Sequence, residues 1–266
     1  MISAFRVLWK TIKDIWEDML LLVLMNVLTL LCGLPFLAAV LLPAYLTLTA
    51  APASATTPPI PGQDPLTSLL SALILTLVLA VPTALPFGGA LFGLYSVCNR
   101  VANGFAISWE IYFTNFKQYF FKSWVYLTFA TVIAILIPIN FLWYARTFAG
   151  QSWVTWVMGA WLAAGMFWVA IQFYVFPFYV EQETKSWRVA FKNAALIAGA
   201  NPLFTLILLI VTAALLVLSV GLIPPVFVLL GLLIWVMTGT EAVVNRIAAY
   251  RTRLEAESKK KAAPRR

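Results

Sequence analysis

The sequence predicts an all-α, polytopic membrane protein with about six transmembrane helices, each hairpin preceded by an amphipathic interfacial helix. Three observations predict it. Of 266 residues, 62% are hydrophobic and 11% are charged, whereas soluble domains are about 45–50% apolar and about 25% charged. Uncharged stretches cover 19–63, 65–99, 123–145, 147–180 and 193–240. Each exceeds the roughly 20 residues that carry a helix across a bilayer core. Finally, the cations fall on one side of the implied topology. Arg6, Lys10 and Lys13, then Arg100, Lys117 and Lys122, then Lys185, Arg188 and Lys192, then the cations from Arg246 to Arg266 share that side, leaving only Arg146 on the other.

Taken in order, the N-terminal stretch carries Phe5, Trp9, Ile12 and Trp16 at i, i+4, i+7 and i+11, one stripe of a helix with Arg6, Lys10, Lys13 and Glu17 opposite. The mixture of cations and acids there, and the length of the apolar run behind it, do not fit a removable signal peptide. The apolar runs divide into spans near 20–42, 67–98, 123–143, 153–180, 202–222 and 226–245. Pro224-Pro225 splits the last two, since neither residue carries a backbone N–H. Pro82, Pro86 and Pro177 lie inside long spans, where kinks are expected. Cys32 and Cys98 fall in or at the end of spans and read as packed thiols, neither a disulfide nor a metal site.

Between spans, "ISWEIYFTN" (107–115) and "KSWRVAFKN" (185–193) share Ser, Trp, Phe and Asn at matching places. Trp109, Phe113, Phe116 and Phe120 form one stripe; Trp187, Phe191, Ala194 and Ala198 form another. With the N-terminal stripe they suggest three units, 1–98, 99–180 and 181–250, within one helical membrane domain (1–250). Trp9, Trp109, Phe113, Trp187 and Phe191 are the candidate interfacial anchors, because such rings favour headgroup depth while Lys and Arg stems reach to water. "VCNRV" (97–101) and "VVNRI" (243–247) echo each other in the same sense. The basic stretch 251–266 reads as a disordered tail.

The positive-inside rule places both termini in the cytoplasm, making this a multi-pass protein of the cytoplasmic membrane. The net charge of +8 reports affinity for anionic headgroups, not for nucleic acid. The chain contains no His, which removes the commonest general base and metal ligand. No phosphate-binding loop, nucleophile elbow or paired-Cys site is written, so no enzyme, cofactor or metal is expected. One carboxylate lies inside a span: Glu241, a turn before Asn245 and Arg246, is the candidate intramembrane polar site together with Asn245, and pairing with Arg246 is the plain expectation. Asn26, Asn140 and Gln172 are expected to hydrogen-bond between helices, and Gly89 and Gly93 form a small-x3-small contact pattern.

The stretches "LTLLCGLPFLAAVLLPA" (29–45), "LPFGGALFGLYSVCNRVANGFAISWEIYFTNFKQYFFKSW" (85–124) and "FYVFPFYVEQETKSWRVAFKNAALIAGANP" (173–202) resemble the YesL-like family of bacterial membrane proteins. The proline-rich insert "APASATTPPIPGQDP" departs from that pattern. The resemblance implies an accessory role in carbohydrate uptake beside other membrane proteins such as transporter subunits, with no catalytic residues to carry over. A repeated S-W helix also occurs in membrane domains attached to glycerophosphodiester phosphodiesterases, which leaves a membrane domain associated with a separate enzyme as an alternative. "NAALIAG" (193–199) is similar to the coupling loop of ABC importer permeases, but Asn193 replaces its usual acid. A permease-type subunit is therefore the other alternative.

Overall fold

The computed structural model describes residues 2–53, 65–222 and 230–262. Eight helices account for nearly all of them: α1 (Ile2–Glu17), α2 (Met19–Ala53), α3 (Pro65–Ala102), α4 (Trp109–Thr147), α5 (Val154–Glu181), α6 (Trp187–Ala200), α7 (Pro202–Leu222) and α8 (Leu232–Ala262). Five stretches, in α2, α3, α4, α5 and α8, are long and apolar enough to cross a membrane, and there are six if α6 and α7, bent by 98° at their junction, form one broken span. The chain is thus an all-α polytopic membrane protein. The bend falls where the sequence writes Asn201-Pro202, since Pro opens a helix readily and cannot continue one unkinked.

Two compact units are built from interleaved segments, Met1–Val27, Leu94–Tyr112 and Ala170–Arg266 in the first, Leu28–Gly93 and Phe113–Val169 in the second. In the first unit α1 packs on α7 and α8, and α7 packs on both α6 and α8. Small side chains make close approach possible: α6 buries Ala190, Ala194 and Ala198, one stripe at i, i+4 and i+8. At Gly239 a side chain would place its Cβ 2.6 Å from the Phe173 carbonyl oxygen. That carbonyl lies four residues before Pro177, so it has no helical N–H to accept.

The second unit is sealed in the same way. A Cβ on Gly88 would lie 3.0 Å from the Ser123–Trp124 backbone, and one on Gly89 would meet the Phe120 ring at 2.7 Å. Trp124 Nε1 donates to the Val81 carbonyl at 2.7 Å, in the stretch that Pro82 and Pro86 deprive of amide donors. Near the turn that follows α4, Trp143, Tyr144, Phe148 and Trp153 form a ring cluster with centroids 4.9–6.4 Å apart.

Three expectations are revised. Residues 109–122 are not a separate interfacial helix but the first turns of α4; after Gly104 no Gly or Pro interrupts the chain before Pro138, and a helix extends more easily than it restarts. The stretch 251–262, expected as a disordered tail, is helical as far as Ala262. It is rich in Ala, Glu and Lys, with Glu255 and Glu257 four positions before Lys259 and Lys261. Asn140 donates to the Leu136 carbonyl of its own helix at 2.8 Å rather than to a neighbour. Gly89 is a close-contact position, as expected, and the adjacent Gly88 brings the helix against the Ser123–Trp124 backbone. Both cysteines are free, as expected. Ser54, most of the proline-rich insert and Pro224-Pro225 lie outside the described residues.

Candidate functional site

The first helix has two unlike faces. Ala4, Val7, Leu8, Thr11, Asp14 and Ile15 are buried, whereas Phe5, Trp9, Ile12 and Trp16 project outward, Trp9 and Trp16 being 72% and 75% exposed. The aromatic stripe therefore does not hold α1 to the protein. The inner face does so with small and aliphatic side chains and one polar contact.

That contact joins three elements. Lys10 Nζ lies 2.6 Å from Glu241 Oε1 on α8 and 3.1 Å from Asp14 Oδ2, one turn along α1. It also donates to the Ala102 carbonyl at 2.9 Å. The last acceptor is made available by the way α3 stops. Gly104, at φ 75°, closes a Schellman turn in which Phe105 N donates to Arg100 O at 2.8 Å and Gly104 N to Val101 O at 2.9 Å. Ala102 is left among the last-turn carbonyls that have no helical partner, at the negative end of the helix dipole, where a cation is favoured. Glu241 and the Ala102 carbonyl thus accept hydrogen bonds from the ammonium, and Asp14 adds an ion pair.

Glu241 is 1% exposed. A carboxylate so deep requires a partner, and the structure supplies Lys10, 231 residues away, instead of the expected Arg246. The Arg246 guanidinium lies 3.8 Å from the centroid of the Phe204 ring, a cation–π contact. Asn245, the other half of the expected polar site, is half-buried one turn beyond Glu241. For Lys10, burial pulls the pKa down, but the hydrogen bonds and charges of Glu241 and Asp14 outweigh it and raise the ammonium above the ordinary lysine value. With the folded value above the unfolded one, the stabilisation is complete below the lysine range and disappears only as pH rises through the raised value.

In front of the ion pair opens a pocket of about 520 Å³ whose walls include Lys10, Asp14, Glu17, Asp18, Asn103 and Phe105. A second polar cluster ties the same end of α3 to α5. Asn99 and Asn103 donate to Glu181 Oε2 at 2.6 and 3.3 Å, and Lys185 donates to the Val180 carbonyl. Burial lowers the Lys185 pKa while Glu181 pulls it the other way.

The other candidate anchors are placed unequally. Trp109 and Phe113 are exposed on the first turns of α4. Trp187 is half-buried, stacked on Tyr179 with centroids 3.7 Å apart and edge-on to Phe176 at 5.4 Å. Phe191 is half-buried on the same helix. One recurring phrase thus yields an outward ring at Trp109 and an inward one at Trp187. Sequence reading missed the buried tyrosines Tyr112, Tyr119 and Tyr126 of α4, whose spacing of seven was a usable signal, and it missed Lys10, which it placed on a solvated face. Ala194, required on the outer surface by a coupling loop, is fully buried, while Gly199 is exposed.

Compared with models of protein families, with curated proteins and with solved structures, the chain matches none.

Proposed function

We propose that this is a non-catalytic, multi-pass protein of the cytoplasmic membrane that binds anionic lipid headgroups through α1 and acts as an accessory to other membrane proteins. The observation that carries the reading is α1 itself. A short helix fixed by its inner face to α7 and α8 turns four large apolar side chains outward, beside the cations Arg6 and Lys13. A patch of that kind outside a span suits the boundary between headgroups and acyl chains. Each aromatic side chain buried there would contribute about 1.5–3 kcal/mol. The cation asymmetry supports a cytoplasmic position for both termini, and the aromatic cluster around Arg146 suits the opposite interface.

The link to carbohydrate uptake rests on the YesL-like resemblance alone. Of the alternatives, the permease-type subunit loses ground because the small residues a coupling helix needs are turned inward at Ala194. Purification in mild detergent distinguishes the two readings. As an accessory protein, the chain carries no stoichiometric ATPase by itself. An ATPase recovered at one-to-one stoichiometry from the wild type, and lost in Gly199→Trp, would reject the accessory reading in favour of the permease.

A further inference from the structure

Among the described side chains, two cations are half-buried, Lys185 and Arg246. Lys185 has an acceptor in the Val180 carbonyl; Arg246 has none. Its nearest acid along the chain, Glu241, is taken by Lys10 at 2.6 Å, and among the described residues no carboxylate pairs with Arg246. Its Nε is closed off from solvent without a hydrogen-bond partner. A buried donor left unpaired is costly, and the guanidinium fork matches the oxygens of a phosphate. We propose that Arg246, held on the Phe204 ring, binds the phosphate of an anionic lipid headgroup at the contact of α7 with α8, a site separate from the stripe on α1.

The geometry suits this ligand. The guanidinium carbon lies 3.8 Å from the centroid of the Phe204 ring, so the ring covers one face of the planar group and leaves the donors along its edge to meet an acceptor. The side chain as a whole is only half-buried, and a ligand can reach that edge. An independent observation points the same way. Phe204 belongs to the first turn of α7, whose helical ladder begins with Thr205 N on the Asn201 carbonyl at 3.0 Å. The amides of Leu203 and Phe204 precede it, at the positive end of the helix dipole, where an anion is favoured.

The surroundings favour a lipid as the carrier of that phosphate. Leu203, Leu206 and Ile210 of α7 are exposed apolar side chains, a face along which acyl chains can lie, and Arg246 stands where the apolar run of α8 ends. No acid competes from the neighbouring helices, since neither α6 nor α7 contains Asp or Glu. On α5 the Tyr174 hydroxyl is already bonded to Thr205 Oγ1 at 3.1 Å. Arg251 and Arg253, farther along α8, are exposed and add positive charge without a fixed geometry. The inference shares with the proposed function the reading that this end of the protein meets anionic headgroups, and adds a site that does not depend on α1.

Native mass spectrometry of the whole protein, released from detergent with added phosphatidylglycerol or phosphatidylcholine, counts the lipids that stay bound. The expected result is a bound phosphatidylglycerol whose dissociation constant rises about tenfold or more in Arg246→Gln, the effect of losing a charge-assisted hydrogen bond, and is unchanged in Arg253→Gln. Arg246→Lys keeps the charge but loses the fork and the stacking, so it too binds more weakly, and it serves as the test if the glutamine variant does not fold. Equal weakening in Arg253→Gln overturns the site, because charge alone would then explain the binding. So does displacement of the lipid by inorganic phosphate at equal concentration, which would assign the guanidinium to the free ion. The two readings fail separately. Phosphatidylglycerol held equally by the wild type and both Arg246 variants removes only this site, whereas a wild type with no preference for phosphatidylglycerol over phosphatidylcholine removes the headgroup reading of α1 as well.

Discussion

Lys10→Met destabilises the fold by about 1–3 kcal/mol at neutral pH, less than the loss of one partner of a fully buried ion pair because the Lys10 side chain is 45% exposed. The substitution keeps most of the aliphatic stem and removes only the ammonium. Glu241, 1% exposed, then loses its counter-ion, and the Ala102 carbonyl loses its donor. Reversible unfolding in mixed micelles measures the loss, and the double variant Lys10→Met, Glu241→Met recovers most of it, because two apolar side chains in place of a buried pair are often neutral or stabilising. The loss shrinks as pH falls and the stranded carboxylate takes up a proton. A double variant no more stable than the single one would mean that the contact acts through packing rather than charge.

The second large effect is steric. Gly239→Ala costs about 1–3 kcal/mol, the usual penalty for forcing extra carbon into a filled core. Its new methyl group would lie 2.6 Å from the Phe173 carbonyl oxygen, and backbone cannot rotate aside as a flexible side chain can. Two helical glycines serve as controls. A Cβ on Gly159 or Gly199 meets nothing within 4 Å, so alanine there should be neutral or stabilise by up to about 1 kcal/mol through helix propensity. The same unfolding assay reads all three. Equal effects at 239 and 199 would contradict the close α5–α8 contact.

How much of this was legible in the sequence depends on whether a feature is local. Span number and the break at Asn201-Pro202 follow from apolar length and from a missing N–H, both of which act over a few residues. The amphipathic stripe on α1 was equally visible, but not which face would be buried. Periodicity identifies a face and leaves open whether lipid or protein covers it, and inside a bilayer both are apolar. That ambiguity let Trp109 and Trp187 read alike although one ring is outward and the other stacked on Tyr179. The Lys10–Glu241 pair was beyond sequence reasoning, since Arg246 is a nearer cation in the chain and only the packing of α1 on α8 decides between them. The helical continuation through 109–122 could have been anticipated, because no residue there can break a helix.

The claim that α1 is a lipid-interface helix fixed from behind is tested most directly by nitroxide labels at Ile12→Cys and Lys13→Cys, one at a time, in a background lacking Cys32 and Cys98 and reconstituted with anionic lipid. Position 12 lies on the outward stripe; position 13, with a side chain 66% exposed, lies on the polar face. The account predicts that the label at 12 collides with oxygen from the acyl-chain boundary while the label at 13 collides with a water-soluble relaxant, and that an impermeant reductant reaches position 13 only from the cytoplasmic side. Two labels with equal, fully aqueous accessibility, or reduction from the outer side, would contradict it.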